Sequence, residues 1–365
     1  MGILGSGKAG SWGKQAHSLI FLFLHFDLNT YFWIVIFKND YRLPYGMDSN
    51  LQLPPDQVLV YADRNLIKAW EGNSNPRVIA DRGSGLVTAL TLFNGRVIDG
   101  TIDKVIKDTL SGEIIEDDFS PELHPVKRSN PAYFRTELCG LQGYGDSLVI
   151  ARSMDGLPPV HTSDPYYGVV ISQLNVKKPI AFLGEHWKIP IEGSKGEEQV
   201  SSADLYFRPS SLSLARINDT VYVASENVVG VDIRTGRVTR QNDMIEADHV
   251  RLAGDVHGVT SYSYHNNNTH PHGGEFKHIP GGDIFARAPM PHDGGYIRSV
   301  AKTGDLLILG INSHQKGDSF YLADTLAVFG GLSYLTLQRA EGRFYDREIS
   351  QMGNPILIVS KDHLQ

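Results

Sequence analysis

From Leu51 onward, polar turn pairs alternate with short runs rich in Val, Ile, Leu and Tyr. Examples are "NDTVYVA" from Asn218, "GDSLVIA" from Gly145, "GDVHGVTSYSY" from Gly254 and "GDLLILGI" from Gly304. Asn and Gly tolerate the left-handed backbone of a tight turn, and β-branched residues then favour the strand that leaves it. A second turn type, Asp-x-x-Ser/Thr-Gly, occurs at Asp108–Gly112 and Asp232–Gly236 and predicts a further hairpin downstream in the same unit.

The pattern repeats. "FNGRVIDGTIDKVIKDTLSGEII" from Phe93 aligns without a gap on "INDTVYVASENVVGVDIRTGRVT" from Ile217, 124 positions on; Asn94 falls on Asn218 and Asp108 on Asp232. "DQVLVYADRNLIKAW" from Asp56 aligns with the stretch from Asp219, and "KKPIAFLGE" around Pro179 is a weaker mark. A mean period of about 41–42 residues with four short strands each predicts a β-propeller. A lone four-stranded sheet exposes two apolar faces, and a ring of such sheets buries both. The expectation is therefore an all-β fold over 51–365 with seven four-stranded antiparallel blades. "GNPILIVSK" at 353–361 supplies a closing strand; counted as an eighth mark, it gives an eight-bladed alternative.

The stretch "VGVDIRTGRV" around Asp232–Gly236 resembles the repeats of quinoprotein-like propellers of the pyrroloquinoline-quinone-repeat type, and Asp108–Gly112 resembles them more loosely. The resemblance implies the propeller fold. The tryptophan usual after the Thr-Gly turn is missing, since only Trp70 and Trp187 lie within 51–365, and no quinone site is implied.

Residues 1–46 differ in character. "MGILGSGKAG" carries G-x-x-x-x-G-K and G-x-G-x-x-G together, but no strand can precede Gly2, and Ala9 stands where a phosphate loop needs a hydroxyl. The expectation is a non-globular leader, whether a non-native extension or one whose apolar run at 18–37 serves as a membrane anchor. Asp27 in that run opposes insertion.

Net charge is −7 and no run of Lys or Arg occurs, which argues against nucleic acid as a partner. Cys139 is the only cysteine, so no internal disulfide forms; a strand entering the core is expected to bury it as an inert thiol. These features suit a cytoplasmic monomer, with membrane anchoring through the leader as the alternative.

In a meander, the Asn/Gly-Asp and Asp-x-x-Ser/Thr-Gly turns fall on one face, leaving the longer connections on the other. "YHNNNTHPHGGEFKH" places His265, His270 and His272 on that second face; "PMPHDGG" adds His292 and Asp293, and "NSHQKGD" adds His314. These imidazoles suit a divalent transition metal. His257 and His278 fall within strands and are expected to pack in the core or wall. Further candidates for the ligand-binding face are Asp63, Arg64, Asp81, Arg82, Asp99, Asp103, Asp155, Glu226 and Asn227. Two functions follow: a non-catalytic platform binding a protein or peptide, or a metal-dependent hydrolase, lyase or oxidoreductase built on the histidine-rich sector.

Overall fold

The computed structural model describes residues 20–26, 30–36, 52–72, 75–103, 105–116, 135–156, 166–176, 180–184, 189–190, 197–198, 212–224, 228–242, 249–255, 258–264, 273–280, 284–289, 296–312, 319–324, 333–334, 338–340 and 355–365. The chain divides into two units, Met1–Ser49 and Asn50–Gln365. In the first, Ile20–Phe26 pairs antiparallel with Thr30–Ile36, so the apolar run at 18–37 contains two strands. Gly2 to Gly10 lie outside the described residues. Among the described residues no helix is long and apolar enough to cross a membrane.

The second unit is a ring of six antiparallel sheets. Blade 1 comprises Ile356–Ser360, Gln57–Asp63, Leu66–Trp70 and Arg77–Asp81, so its first strand comes from the C-terminus. Blade 2 is Val87–Phe93, Arg96–Thr101, Ile106–Asp108 and Ile114–Glu116. Blade 3 is Arg135–Tyr144, Ser147–Gly156, Tyr166–Gln173 and Ala181–Gly184. Blade 4 is Ser213–Ile217, Thr220–Ala224, Val228–Asp232 and Val238–Asn242. Blade 5 is His249–Asp255, Gly258–Tyr264, Gly273–Ile279 and Ile284–Pro289. Blade 6 is Tyr296–Thr303, Leu306–Asn312, Ser319–Asp324 and Gln338–Arg339. Ser333–Tyr334, from the connection before the last strand of blade 6, pairs parallel with Ala286–Arg287 and adds a fifth strand to blade 5.

Period-two alternation explains the packing. In the second strand of blade 1, Val58, Val60 and Ala62 pack against blade 2, while Leu59 and Tyr61 pack against blade 6. In blade 4, Val221 and Val223 face blade 3, while Tyr222 and Ala224 face blade 5. Both faces are buried, which is why these strands read as nearly continuous apolar runs. Six apolar clusters result, one at each junction from blade 1–blade 2 round to blade 6–blade 1.

Six blades replace the seven, or eight, expected from the spacing. The marks at Asp56, Asn94, Gly145, Asn218, Gly254 and Gly304 all lie at the entry to a second strand, one in each blade. "KKPIAFLGE" instead carries the last strand of blade 3, and "GNPILIVSK" the closing strand of blade 1. The offset from Asn94 to Asn218 therefore spans two blades rather than three. Long connections, such as those over 117–134 and 185–212, lengthen the real period and make it uneven.

Candidate functional site at the mouth of the central channel

The two faces of the ring are built differently. On one, first and second strands join through tight turns in which Asn94, Gly95, Gly145, Asn218 and Gly304 all have positive φ, between 50° and 72°. This is the backbone that Asn and Gly adopt at least cost. Asp108 and Asp232 cap the other turns there, each accepting two backbone N–H groups through Oδ1. These bonds, that from Thr235 foremost, hold the Asp232 carboxyl below its ordinary pKa. The opposite face gathers the second-to-third connections and the connections between blades.

First strands run from that long-connection face towards the turn face. Residues in and beside these strands border a cavity of about 100 Å³, lined from all six blades. Three of these strands carry a β-bulge at an equivalent position, five residues ahead of the last paired residue. The extra residue is Thr88 in blade 2, Cys139 in blade 3 and Arg298 in blade 6. A bulge re-aims a side chain and is common beside functional sites. All three residues line the cavity. Cys139 is therefore a half-buried wall residue, not the inert core thiol expected from sequence.

The next level inward brings Ser213 and Arg251, and below it lies an apolar collar of Leu90, Leu141, Leu214, Leu252 and Val300. Arg251 and Arg298 are each only 7% exposed. Arg251 Nε donates to the Arg298 carbonyl at 2.7 Å, tying blade 5 to blade 6. Thr88 Oγ1 donates to Leu138 O at 2.7 Å, and Ser213 Oγ accepts from Leu252 N at 2.9 Å. Charge at the other end of the ring is used differently. Arg216 lies over the Tyr144 ring at 4.2 Å, burial lowers its pKa, and Lys302 pairs with Asp255 at 3.3 Å.

Several polar residues expected on the ligand-binding face serve the framework. Asp63 pairs with Lys68, and Arg64 occupies a left-handed turn at φ 60°. Asp81 accepts from Asn65 Nδ2 and Gly83 N, both at 2.8 Å. Arg82 grips both oxygens of fully buried Asp99 and also reaches the carbonyls of Asp108 and Thr109. Thr109 Oγ1 completes the set on Asp99 Oδ2 at 3.0 Å. The Asp99 hydrogen bond outweighs burial and raises the Arg82 pKa. Asp103 is exposed in a second-to-third connection of the long-connection face, and Asp155 lies near the end of the second strand of blade 3.

Glu226, Asn227, Asp293, His257 and the five histidines proposed as ligands lie outside the described residues. The strands flanking His265, His270, His272, His292 and His314 send all three of their connections to the long-connection face of blades 5 and 6. Among the described residues no group of three metal-ligating side chains occurs. His278 is not a core residue: it is exposed and stacks on Phe285 at 4.2 Å. The cavity itself escaped sequence reasoning, although a signal was present. Counting backward from each tight turn gives Leu90, Leu141, Leu214, Leu252 and Val300 at one equivalent position.

No protein-family model matches this chain, and no relative is found among curated proteins. Solved structures give distant likenesses. One is a chain of a nidogen/laminin complex, at TM-score 0.48 and 9% identity over 83% of this chain and 98% of that one. A second is the WD40 β-propeller domain of Doa1, at TM-score 0.43 and 11% identity over 78% and 79% respectively. A third is the C-terminal WD40 domain of Sif2, at TM-score 0.38 and 13% identity over 91% and 81%. The assignment of this chain as a β-propeller rests on its own ring of sheets and its six junction clusters.

Proposed function

We propose that this chain is a non-catalytic recognition propeller that binds a protein or peptide ligand across its long-connection face. One observation carries the reading: a cavity on the ring axis is lined from all six blades, and the longer connections gather on one face of the ring while tight capped turns dominate the other. Binding residues concentrate on such loops because a rigid scaffold positions them while leaving their sequence free. The likeness to quinoprotein-type repeats concerns two turns on the opposite face, and this reading needs nothing from it.

The second reading, a metal-dependent enzyme, draws on the strand order, which sends three histidine-bearing connections to the same face of blades 5 and 6. One experiment separates the two. Full-length protein, an Arg64→Glu/Asp103→Lys variant and an Asp146→Lys/Asp305→Lys variant on the turn face are used as baits in cell extract. Each preparation is also assayed for bound zinc, copper, manganese and iron. The platform reading expects captured proteins to fall at least fivefold with the first variant and to persist with the second. Capture insensitive to both variants, or stoichiometric metal that His270→Ala/His272→Ala removes, overturns it in favour of the enzyme.

A further inference from the structure

We propose that the hairpin of the first unit is a self-association element through which two copies of this chain pair, stacking their aliphatic faces. The inference goes beyond the recognition reading and does not depend on it.

Ile20–Phe26 and Thr30–Ile36 form a sheet of only two strands, and among the described residues neither outer edge pairs with a further strand. The register sets which residues share a face. One face holds Ile20, Leu22 and Leu24 opposite Ile36, Ile34 and Phe32. The other holds Phe21, Phe23 and His25 opposite Val35, Trp33 and Tyr31. A half-solvated strand pair alternates apolar with polar positions, and this pair does not. Two-stranded hairpins are marginal in water on their own, and one with two apolar faces needs a cover.

Lipid fits that need badly. Seven residues per strand fall short of the about 9–11 that a spanning strand requires, and Asp27 follows the first strand at the tip that an inserting hairpin drives into the bilayer. About half of each strand's N–H and C=O groups point away from its partner strand. Hydrocarbon leaves those groups unsatisfied, a cost that confines spanning sheets to closed barrels.

A second copy answers both demands. Stacking two hairpins face to face buries apolar residues, while the edges stay in water and their backbone groups stay hydrated. The first face is the better contact. Its only polar residue is Thr30 at one end, whereas the other face holds His25, Tyr31 and Trp33, whose polar atoms favour water. Like faces related by a twofold axis are self-complementary, so association closes at two rather than running on into a filament. Each face measures about 23 by 10 Å. That is smaller than a standard protein interface, so the pair should separate on dilution. A concentration-dependent dimer thus replaces the monomer that composition suggests.

The test follows the full chain by sedimentation velocity over a wide range of loading concentrations. Wild type should pass from monomer to dimer. Two double variants each set opposite charges directly across the hairpin, so the strands keep their pairing while one face loses its apolar character. Leu22→Lys/Ile34→Glu, on the first face, should weaken dimerisation at least tenfold. Phe21→Lys/Val35→Glu, on the second, should change it less than threefold. Wild type that stays monomeric throughout, assembly that continues past the dimer, or equal loss in both variants overturns the proposal.

A second readout needs no substitution and separates protein from lipid. Amide hydrogen exchange within Ile20–Phe26 and Thr30–Ile36 should slow at least fivefold from the lowest concentration to the highest. Phosphatidylcholine vesicles should carry no protein with them in flotation. Exchange that ignores concentration, or co-flotation with the vesicles, assigns the hairpin another cover and overturns the dimer. Neither outcome touches the recognition reading, which the capture experiment tests separately.

Discussion

Two buried arginines show how local geometry decides the fate of a charge. Arg82 meets Asp99 with two nitrogens on two oxygens, and the fork outweighs desolvation, so its pKa rises. Arg152 is buried deeper and touches Glu116 through a single 2.8 Å contact; burial dominates and its pKa falls. Removing one member of a buried pair strands the other. Asp99→Asn should therefore cost about 3–5 kcal/mol in urea unfolding, whereas Arg96→Gln, whose exposed side chain reaches Asp108 and Glu113 at 3.5 and 3.4 Å, should cost no more than about 1 kcal/mol. Equal costs would show that the Arg82–Asp99 pair contributes nothing particular to stability. The sequence marks Arg82 and Asp99 as candidates for the ligand-binding face, not as partners of each other. Their partnership depends on the turn between blades 1 and 2 folding back over the second strand of blade 2, and no spacing rule encodes that.

At the scale of strands, the legible part was the step from turn to second strand. Asn-Gly, Asn-Asp and Gly-Asp marked a left-handed backbone at Asn94, Gly145, Asn218 and Gly304, although Gly254 of the Gly254-Asp255 mark is not left-handed. First strands were harder to read because neighbouring blades crowd them along the ring axis, so small and polar residues interrupt the apolar alternation. Gly143 is the clearest case. It sits near the end of the first strand of blade 3, where its N–H donates to Thr91 Oγ1 of blade 2 at 2.8 Å. A Cβ there would overlap the backbone carbonyl oxygen of Leu92, which cannot swing aside as a side chain would. Gly143→Ala should thus destabilise by about 1–3 kcal/mol or more, despite the better strand propensity of alanine. Gly112→Ala provides the contrast: φ is +72° and nothing lies within 4 Å, so only backbone strain applies, about 1–2 kcal/mol. Thermal midpoints of the two variants decide whether blade-to-blade contact or turn strain is the tighter constraint.

For the whole ring, blade number follows from how many apolar faces must be paired, not from residues per repeat. The six junction clusters are contiguous around the ring, and each draws on two neighbouring blades. A count of turn marks divided by a mean period therefore went wrong as soon as one fourth strand resembled a mark. Closure is the step the sequence did reveal, in "GNPILIVSK". Ile356–Ser360 pairs along Gln57–Tyr61, and Lys361 N donates to Asp56 O at 2.8 Å, so the last segment completes the first blade. Stopping the chain before Pro355 should leave the edge of Gln57–Asp63 unpaired and expose the apolar faces on either side of it. The expected result is loss of a single cooperative unfolding transition, together with concentration-dependent aggregation. If the defect is the missing clasp rather than the shorter chain, inserting Pro355–Gln365 between Asn50 and Leu51 of the truncated protein should restore both cooperativity and solubility. That permuted chain makes all six blades contiguous in sequence. Cooperative unfolding of the truncated protein without the insertion would mean that four complete junctions hold the ring unaided, and that the C-terminal strand belongs to blade 1 without closing it.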